Sequence, residues 1–103
     1  MRQPASITAD QAAGLAEIFR LMGDPSRLRI ILACLEAPTS VSEIAARVGL
    51  SASLVSHHLR LLRAARVLRA RRQGRQVFYA AADAHIRRIV ADMAAHVAEK
   101  SPR

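Results

Sequence analysis

Residues 41–63, VSEIAARVGLSASLVSHHLRLLR, are the part of this sequence that most restricts the possible folds. They contain two short stretches with the apolar spacing of helices, separated by a turn at Gly49-Leu50. Ser40 with Glu43 is a capping-box pattern before the first stretch, and Ser51 can cap the second. Two short helices joined by a glycine-containing turn are typical of a helix-turn-helix. The positions predicted to face inward are Ile44, Ala45, Val48, Leu54, Val55, Leu59 and Leu62.

A β-hairpin is predicted directly after these helices, in VLRARRQGRQVFYA at residues 67–80. Residues alternate along the chain on both sides of Gln73-Gly74, as they do in strands with one buried face. Gly74 can adopt the positive φ that a tight hairpin turn requires. A hairpin with arginines near its tip that follows a helix-turn-helix is typical of a wing, and we assign residues 67–81 to it.

Three further helices are predicted. Residues 8–22 begin with the capping-box pair Thr8 and Gln11, a second helix begins at Asp24-Pro25, and the last covers residues 83–99. The apolar positions of the first helix are Leu15, Ile18, Phe19 and Met22, and those expected to be buried in the second are Leu28, Ile31, Leu32 and Leu35. The predicted fold is a mainly α winged helix-turn-helix with the order α-α-α-α-β-β-α, in a single domain over residues 1–103.

The charge of the chain points to a polyanionic partner. Sixteen basic side chains against eight acidic ones give a formal net charge of +8, and seven arginines lie within residues 60–75. Since no aromatic residues alternate with these arginines, duplex DNA is favoured over RNA or single strands. The pattern leaves open whether His58 packs or contacts DNA. The predicted DNA contacts are Ser51, Ser53, Ser56, His57 and Arg60 on the helix and Arg71, Arg72, Gln73 and Arg75 on the wing.

The last predicted helix, DAHIRRIVADMAAHVAE, carries residue types that bind metals. His85 and His96 are eleven residues apart, hence roughly 16 Å along a helix, too far to share one ion within a single chain. If this helix packs antiparallel against its copy in a second subunit, Asp83 and His85 of one chain meet His96 and Glu99 of the other. From the spacing alone, the alternative to a metal site is that these four side chains lie on a solvated helix face and bind nothing. The helix also carries an apolar stripe that would form the dimer seam: Ile86, Ile89, Val90, Met93 and Val97.

The runs DPSRLRIILACL (24–35), VSEIAARVGLSASLVSHHLRLLRAARVL (41–68) and RRQGRQVFYA (71–80) resemble the ArsR/SmtB family of winged-helix repressors. The resemblance implies a homodimer, joined through the first and last helices, that binds an imperfect palindrome in operator DNA. It also implies that a metal or another inducer releases the DNA.

The zinc-sensing branch of this family carries Asp-x-His, ten residues, and then His-x-x-Glu or His-x-x-His. Asp83-Ala84-His85 and His96-Val97-Ala98-Glu99 match that pattern. The resemblance therefore implies a zinc site formed by Asp83, His85, His96 and Glu99, in which cobalt can replace zinc. Asp92 is expected to hydrogen-bond to a ligand rather than to bind the metal.

Departures from other branches of the family narrow the choice of metal. Arsenic and cadmium sensors carry cysteines before the recognition helix, whereas VSEIAARVG has none, which excludes a thiolate site. Nickel sensors recruit additional histidines, and MRQPASITADQ contains none, so nickel is less favoured than zinc. The open alternative is an ArsR-type repressor with another inducer, nickel or a non-metal, or with no inducer.

Other classes of function are disfavoured. No His-Glu-x-x-His motif is present, so we predict neither an enzyme such as a zinc hydrolase nor a small-molecule substrate. No apolar run approaches the roughly 20 residues of a membrane span, and MRQPASITADQ has no signal-peptide core, which predicts a cytoplasmic protein with no membrane partner. Cys34, the single cysteine, lies in an apolar run and is expected to be a buried, unreactive thiol.

Overall fold

The computed structural model describes residues 6–99, and the order of its elements confirms the predicted winged helix-turn-helix. The helices α1 (Ala9–Met22) and α2 (Pro25–Ala33) precede the helix-turn-helix, which consists of α3 (Val41–Val48) and α4 (Ala52–Ala64). A short strand, β1 (Thr39–Ser40), lies between α2 and α3. The wing consists of β2 (Leu68–Gln73) and β3 (Gln76–Ala81), and α5 (Ala84–Glu99) follows it. The predicted domain of residues 1–103 includes residues 1–5 and 100–103, which lie outside the described part.

Side-chain caps begin the helices close to the predicted positions. At α1 the capping box is complete, because the Gln11 N–H donates to Thr8 Oγ1 at 3.1 Å and the Thr8 N–H donates to Gln11 Oε1 at 2.9 Å. Each such cap contributes about 1 kcal/mol and involves residues only three positions apart, so local sequence determines where these helices start. The other predicted caps are also present: Asp24 for α2, Ser40 for α3 and Ser51 for α4.

The turns predicted at two glycines are present as well. Gly49 ends α3 in the left-handed region with φ of 73°, and Gly74 has φ of 62° in the hairpin turn. Gln73 pairs with Gln76 at the end of the β2–β3 ladder, so the turn consists of two residues. Both positions favour glycine because a side chain with a Cβ rarely adopts positive φ.

The strand β1 was not predicted. It pairs with β3, Thr39 with Tyr79 and Ser40 with Phe78, and extends the hairpin to a three-stranded antiparallel sheet of order β1-β3-β2. Two residues are too few to show an alternating pattern, and only the pairing with β3 makes this segment a strand. Because Ser40 is also the cap of α3, the pairing fixes the start of the helix-turn-helix to the wing.

The core lies where α2, α3 and α4 meet the base of the hairpin. The Arg47 side chain also joins α3 to the end of α2, since its Nη1 donates to the Ala33 carbonyl at 2.7 Å. Burial of these apolar side chains is the main favourable term in the stability of such a small domain. The side chains with no exposed surface are those of Ile30, Ile31, Cys34, Ile44, Val55, Leu59, Leu62 and Val67.

Three leucines that were predicted to be buried are exposed. Leu28 and Leu32 are 39% and 41% exposed, because α2 turns the face with Ile30 and Ile31 towards the core instead. Leu54 is 42% exposed, because the next residue, Val55, takes the inward direction at the start of α4. The predictions for these three side chains were therefore wrong for the single chain.

Candidate nucleic-acid interface and metal-ligand edge

The helix α4 presents one face to the core and the opposite face to solvent. The core face is formed by the fully buried Val55, Leu59 and Leu62, and the Ser51 hydroxyl caps the helix by accepting from the Leu54 N–H at 3.1 Å. The predicted DNA-contacting side chains of the helix are accessible: Ser51, Ser53, His57 and Arg60 are exposed, and Ser56 is half-buried. Small hydroxyls beside an arginine and a histidine suit hydrogen bonds to base edges and phosphates.

His58, unlike the exposed His57, packs against another helix. Its Nδ1 accepts a hydrogen bond from Arg27 Nε at 3.2 Å, which places a side chain of α2 against α4. Burial lowers the pKa of the His58 imidazole, and the Arg27 charge lowers that pKa further. The sequence left open whether His58 packs or contacts DNA, and in the structure its side chain packs against α2.

The wing carries exposed cationic and amide side chains at its tip. Arg71, Arg72, Gln73 and Arg75 are all exposed, and Arg72 Nη1 donates to the Gly74 carbonyl at 3.3 Å across the turn. These arginines are free to approach phosphates or an adjacent groove.

A cleft between the wing and the helix-turn-helix joins the two predicted groups of DNA contacts. Ser56 of α4 and Arg75 of the wing line it together with Ser42 at the start of α3 and Gln76 of β3. Sequence reasoning did not include Ser42 and Gln76. The position of Ser42 at the start of the first helix of a helix-turn-helix was a usable signal, whereas Gln76 is identified only by the fold.

The side chains proposed as metal ligands lie near the two ends of α5, Asp83 and His85 at its start and His96 and Glu99 at its end. Asp83, His85, His96 and Glu99 are all exposed, and we call these four residues the ligand edge. Residues 6–99 of a single chain contain no group of three or more potential ligands close enough to hold an ion. One chain thus leaves the two histidines apart, in agreement with the helix rise.

The donor set of the ligand edge fits a borderline divalent cation such as zinc, which accepts imidazole nitrogen and carboxylate oxygen. Within residues 6–99, none of the four side chains takes part in an ion pair. Asp83 Oδ1 accepts from the Ile86 N–H at 3.0 Å and thereby caps α5, while its other carboxylate oxygen has no hydrogen bond within the described chain. Asp92, predicted to assist a ligand, is also exposed.

An open apolar groove runs beside the ligand edge, between α5 and the α1–α2 pair. Its α5 side includes Met93 and Val97, which are 56% and 69% exposed. Large apolar side chains left open together along a helix are typical of a surface that contacts another molecule. We call this surface the apolar groove; it is lined chiefly by Phe19, Met22, Leu28, Leu32, Ile89, Val90, Met93 and Val97.

The Cys34 thiol is fully buried, as predicted, and its Sγ donates to the Ile30 carbonyl at 3.5 Å. Burial raises the pKa of this thiol to about 11. A thiol in this environment is neither a nucleophile nor a ready metal ligand at neutral pH. Within residues 6–99, no helix has both the length and the apolar character needed to span a membrane.

Comparison with known proteins agrees with this architecture. A family model described as "Bacterial regulatory protein, arsR family" matches residues 24–70. The chain is 41% identical over 97 residues to a transcriptional repressor SmtB homolog from Synechocystis, covering 94% of this chain and 74% of the relative. It is 37% identical over 89 residues to the transcriptional regulator KmtR from Mycobacterium tuberculosis, covering 86% of this chain and 68% of the relative.

A solved structure shows the same fold. The crystal structure of Rv0081 from M. tuberculosis superposes with a TM-score of 0.77 at 32% identity, covering 89% of this chain and 93% of the other. The matched residues include α2, the helix-turn-helix and the start of the wing, and the curated relatives are transcriptional regulators rather than enzymes. The helix-turn-helix, its wing and the similarity over nearly the whole length together show that this chain belongs to the ArsR family of bacterial regulatory proteins.

Proposed function

We propose that this protein is a metal-responsive transcriptional repressor that binds operator DNA as a homodimer and releases it when zinc or cobalt binds. The single observation that carries the proposal is the ligand edge beside the apolar groove. Two imidazoles and two carboxylates are exposed along the same helix that leaves its apolar side chains uncovered. A second copy of the chain would cover the groove and complete the ligand set.

The proposed dimer contact involves α1 and α5. Leu15 and Phe19 of α1 are 45% and 48% exposed, and Met93 and Val97 of α5 are more exposed still. Covering these side chains with their counterparts in a second copy would stabilise the dimer by the hydrophobic effect without metal. The dimer would then exist as the DNA-binding form, and metal would change its geometry rather than create it.

In the proposed site, Asp83 and His85 of one chain and His96 and Glu99 of the other would hold the ion. The ion would supply a link between subunits, so that its binding depends on how the two chains are arranged. DNA requires a particular spacing of the two α4 helices, and the metal-bound dimer would disfavour that spacing. Metal binding and DNA binding would therefore weaken each other by the same coupling free energy. Protons compete with metals for imidazole nitrogen, so release should weaken in acid.

The proposed DNA surface consists of the exposed face of α4 and the wing. Ser51, Ser53, Ser56, His57 and Arg60 would contact bases or phosphates from α4, and Arg71, Arg72, Gln73 and Arg75 would contact phosphates or the adjacent minor groove from the wing. Ser42 and Gln76 join this set, because they line the cleft between the two groups.

A metal titration of the repressor–DNA complex tests the proposal. The purified protein is bound to fluorescent duplex from its own upstream region, and Zn, Co, Ni and Cd are added separately while anisotropy and bound metal are measured. We expect zinc and cobalt to release DNA with two ions bound per dimer. Release by nickel but not zinc would support the alternative nickel inducer, and binding of DNA unaffected by all four metals would contradict a metal-responsive repressor.

A further inference from the structure

The Arg27 side chain connects three helices. It projects from the first turn of α2, where Arg27 Nη1 donates to the Leu21 carbonyl of α1 at 3.4 Å. On its other side, Arg27 Nε donates to His58 Nδ1 of α4 at 3.2 Å. One guanidinium therefore lies between the end of a proposed dimerisation helix and the proposed recognition helix.

Both ends of this connection are held by local structure. The backbone of Arg27 is fixed because its N–H donates to the Asp24 carboxylate at 3.0 Å in the cap of α2. His58 directly precedes Leu59, which has no exposed surface, so this part of α4 is anchored in the core. His57 and His58 consequently differ in role: His57 is exposed to solvent on the proposed DNA face, and His58 is half-buried against α2.

We propose that Arg27 and His58 are positioning residues, which hold α4 in its DNA-binding orientation through a hydrogen bond that only a neutral His58 can accept. The inference depends on the proposed function only in taking α4 as the recognition helix. It concerns the metal-free protein and assigns to His58 a contact with α2 rather than with DNA.

The chemistry of the pair requires the neutral imidazole. A guanidinium has donors but no acceptor, so His58 Nδ1 must offer a lone pair while its proton resides on Nε2. Protonation of Nδ1 removes the acceptor and sets a second positive charge beside Arg27. In acid the pair therefore changes from attraction to repulsion.

The surroundings of His58 keep it neutral at ordinary pH. Burial and the positive charge of Arg27 lower the pKa of the imidazole, and His57, on the same helix, lowers it slightly. Asp24, at the start of α2, opposes these effects and raises the pKa, but the net direction is downward. The hydrogen bond is thus intact near neutrality and is lost as the pH falls through this lowered value.

Operator binding by His58 variants tests the inference. Affinity is measured by fluorescence anisotropy from pH 8 to pH 5.5, with a chelator present so that metal binding does not contribute. His58→Gln keeps an acceptor for Arg27 and does not titrate, so it should bind within about twofold of wild type at pH 8. His58→Leu has no acceptor and should bind roughly three- to tenfold more weakly at pH 8, the range that one hydrogen bond supplies.

The pH profile separates positioning from a general structural role. Wild type should bind DNA more weakly relative to His58→Gln as the pH falls through the lowered pKa of His58, since only the wild type loses the bond. His57→Gln is the matched comparison: it keeps the Arg27–His58 hydrogen bond, so its affinity for DNA should still fall in acid. Imidazole ¹⁵N NMR of the wild type should report His58 as the Nε2–H tautomer at pH 8.

A ratio of wild-type to His58→Gln affinity that stays constant across the pH at which imidazole ¹⁵N NMR shows His58 becoming protonated would overturn the inference, as would wild-type affinity of His58→Leu at pH 8. Arg27→Lys provides a second variant if His58→Leu unfolds, because it keeps the charge but cannot reach both the Leu21 carbonyl and His58. It should bind DNA as weakly as expected for His58→Leu, and the ratio of its affinity to that of His58→Gln should not change with pH. Because no metal is present in these measurements, a missing zinc response would count against the proposed function alone.

Discussion

Asp83 accepts a hydrogen bond from the backbone N–H of Ile86, with 3.0 Å between its Oδ1 and the nitrogen. The Asp83 carbonyl also accepts from the Arg87 N–H at 3.2 Å, so Asp83 is the residue that caps the start of α5. The same side chain belongs to the ligand edge. Its carboxylate therefore has one oxygen in a helix cap while the other is free for the proposed metal, and the two roles can be separated by substitution.

Asp83→Ser and Asp83→Ala are predicted to differ in stability but not in metal response. Serine retains a cap, so the free energy of unfolding of Asp83→Ser should lie within a few tenths of a kcal/mol of that of wild type. Asp83→Ala has no cap, and its free energy of unfolding should be lower by about 1 kcal/mol. Both should weaken zinc-dependent release of DNA, because both remove a ligand. Urea unfolding and metal titration provide the measurements, and a full zinc response in Asp83→Ser would exclude Asp83 as a ligand.

His96→Ala should uncouple zinc from DNA. Its affinity for operator without metal should stay within about twofold of wild type, because the exposed His96 makes no contact with the DNA surface of its own chain. Its zinc affinity should fall more than about a hundredfold, since one of four ligands is missing. Asp92→Ala is the comparison for a residue that would only hydrogen-bond to a ligand, and its zinc affinity should fall about ten- to a hundredfold. Zinc that still releases DNA from His96→Ala would show that the ligand assignment is wrong.

Met93→Glu should disrupt the proposed dimer. A carboxylate in the middle of the apolar groove would be buried without a partner on association, which costs several kcal/mol. Ala95→Glu adds the same charge about 200° away around the helix and should remain dimeric. Sedimentation measures the oligomeric state, and circular dichroism should report an unchanged helix content in both variants. Dimeric Met93→Glu would place the dimer contact elsewhere.

Arg75→Gln should reduce the salt dependence of DNA binding. Each phosphate contact contributes about 0.9 to the slope of log affinity against log salt concentration, and a dimer loses two contacts, so the slope should decrease by about two units. Arg87→Gln removes the same charge from α5 and controls for the change in net charge. Equal slopes for the two variants would mean that Arg75 acts only through the overall charge.

The Cys34 thiol should resist alkylation in the folded protein. With its pKa raised to about 11, only about 0.1% of the thiol is ionised at pH 8, and the buried position also blocks access. We expect modification by iodoacetamide to be at least about a hundredfold slower than in urea, as followed by mass spectrometry. Rapid labelling without denaturant would show that this part of the core opens readily.

Features encoded within a few residues could be predicted from sequence. The caps at Thr8, Asp24 and Ser51 each join atoms three residues apart, and the positive φ of Gly49 and Gly74 follows from the need for a turn. The order of the helices and the wing could be derived from such local signals, since helices and hairpins depend on short-range hydrogen bonds.

Only the tertiary structure decided which neighbours these elements meet. The strand β1 exists because Thr39 pairs with Tyr79, forty residues later, and Arg27 binds His58 across thirty-one positions. The apolar period of α2 could not determine which face would be buried; Leu28 and Leu32 instead line a groove that a single chain leaves open. Spacing places His85 and His96 on one edge of α5, but whether they share an ion depends on a second chain, because the helix rise keeps them about 16 Å apart.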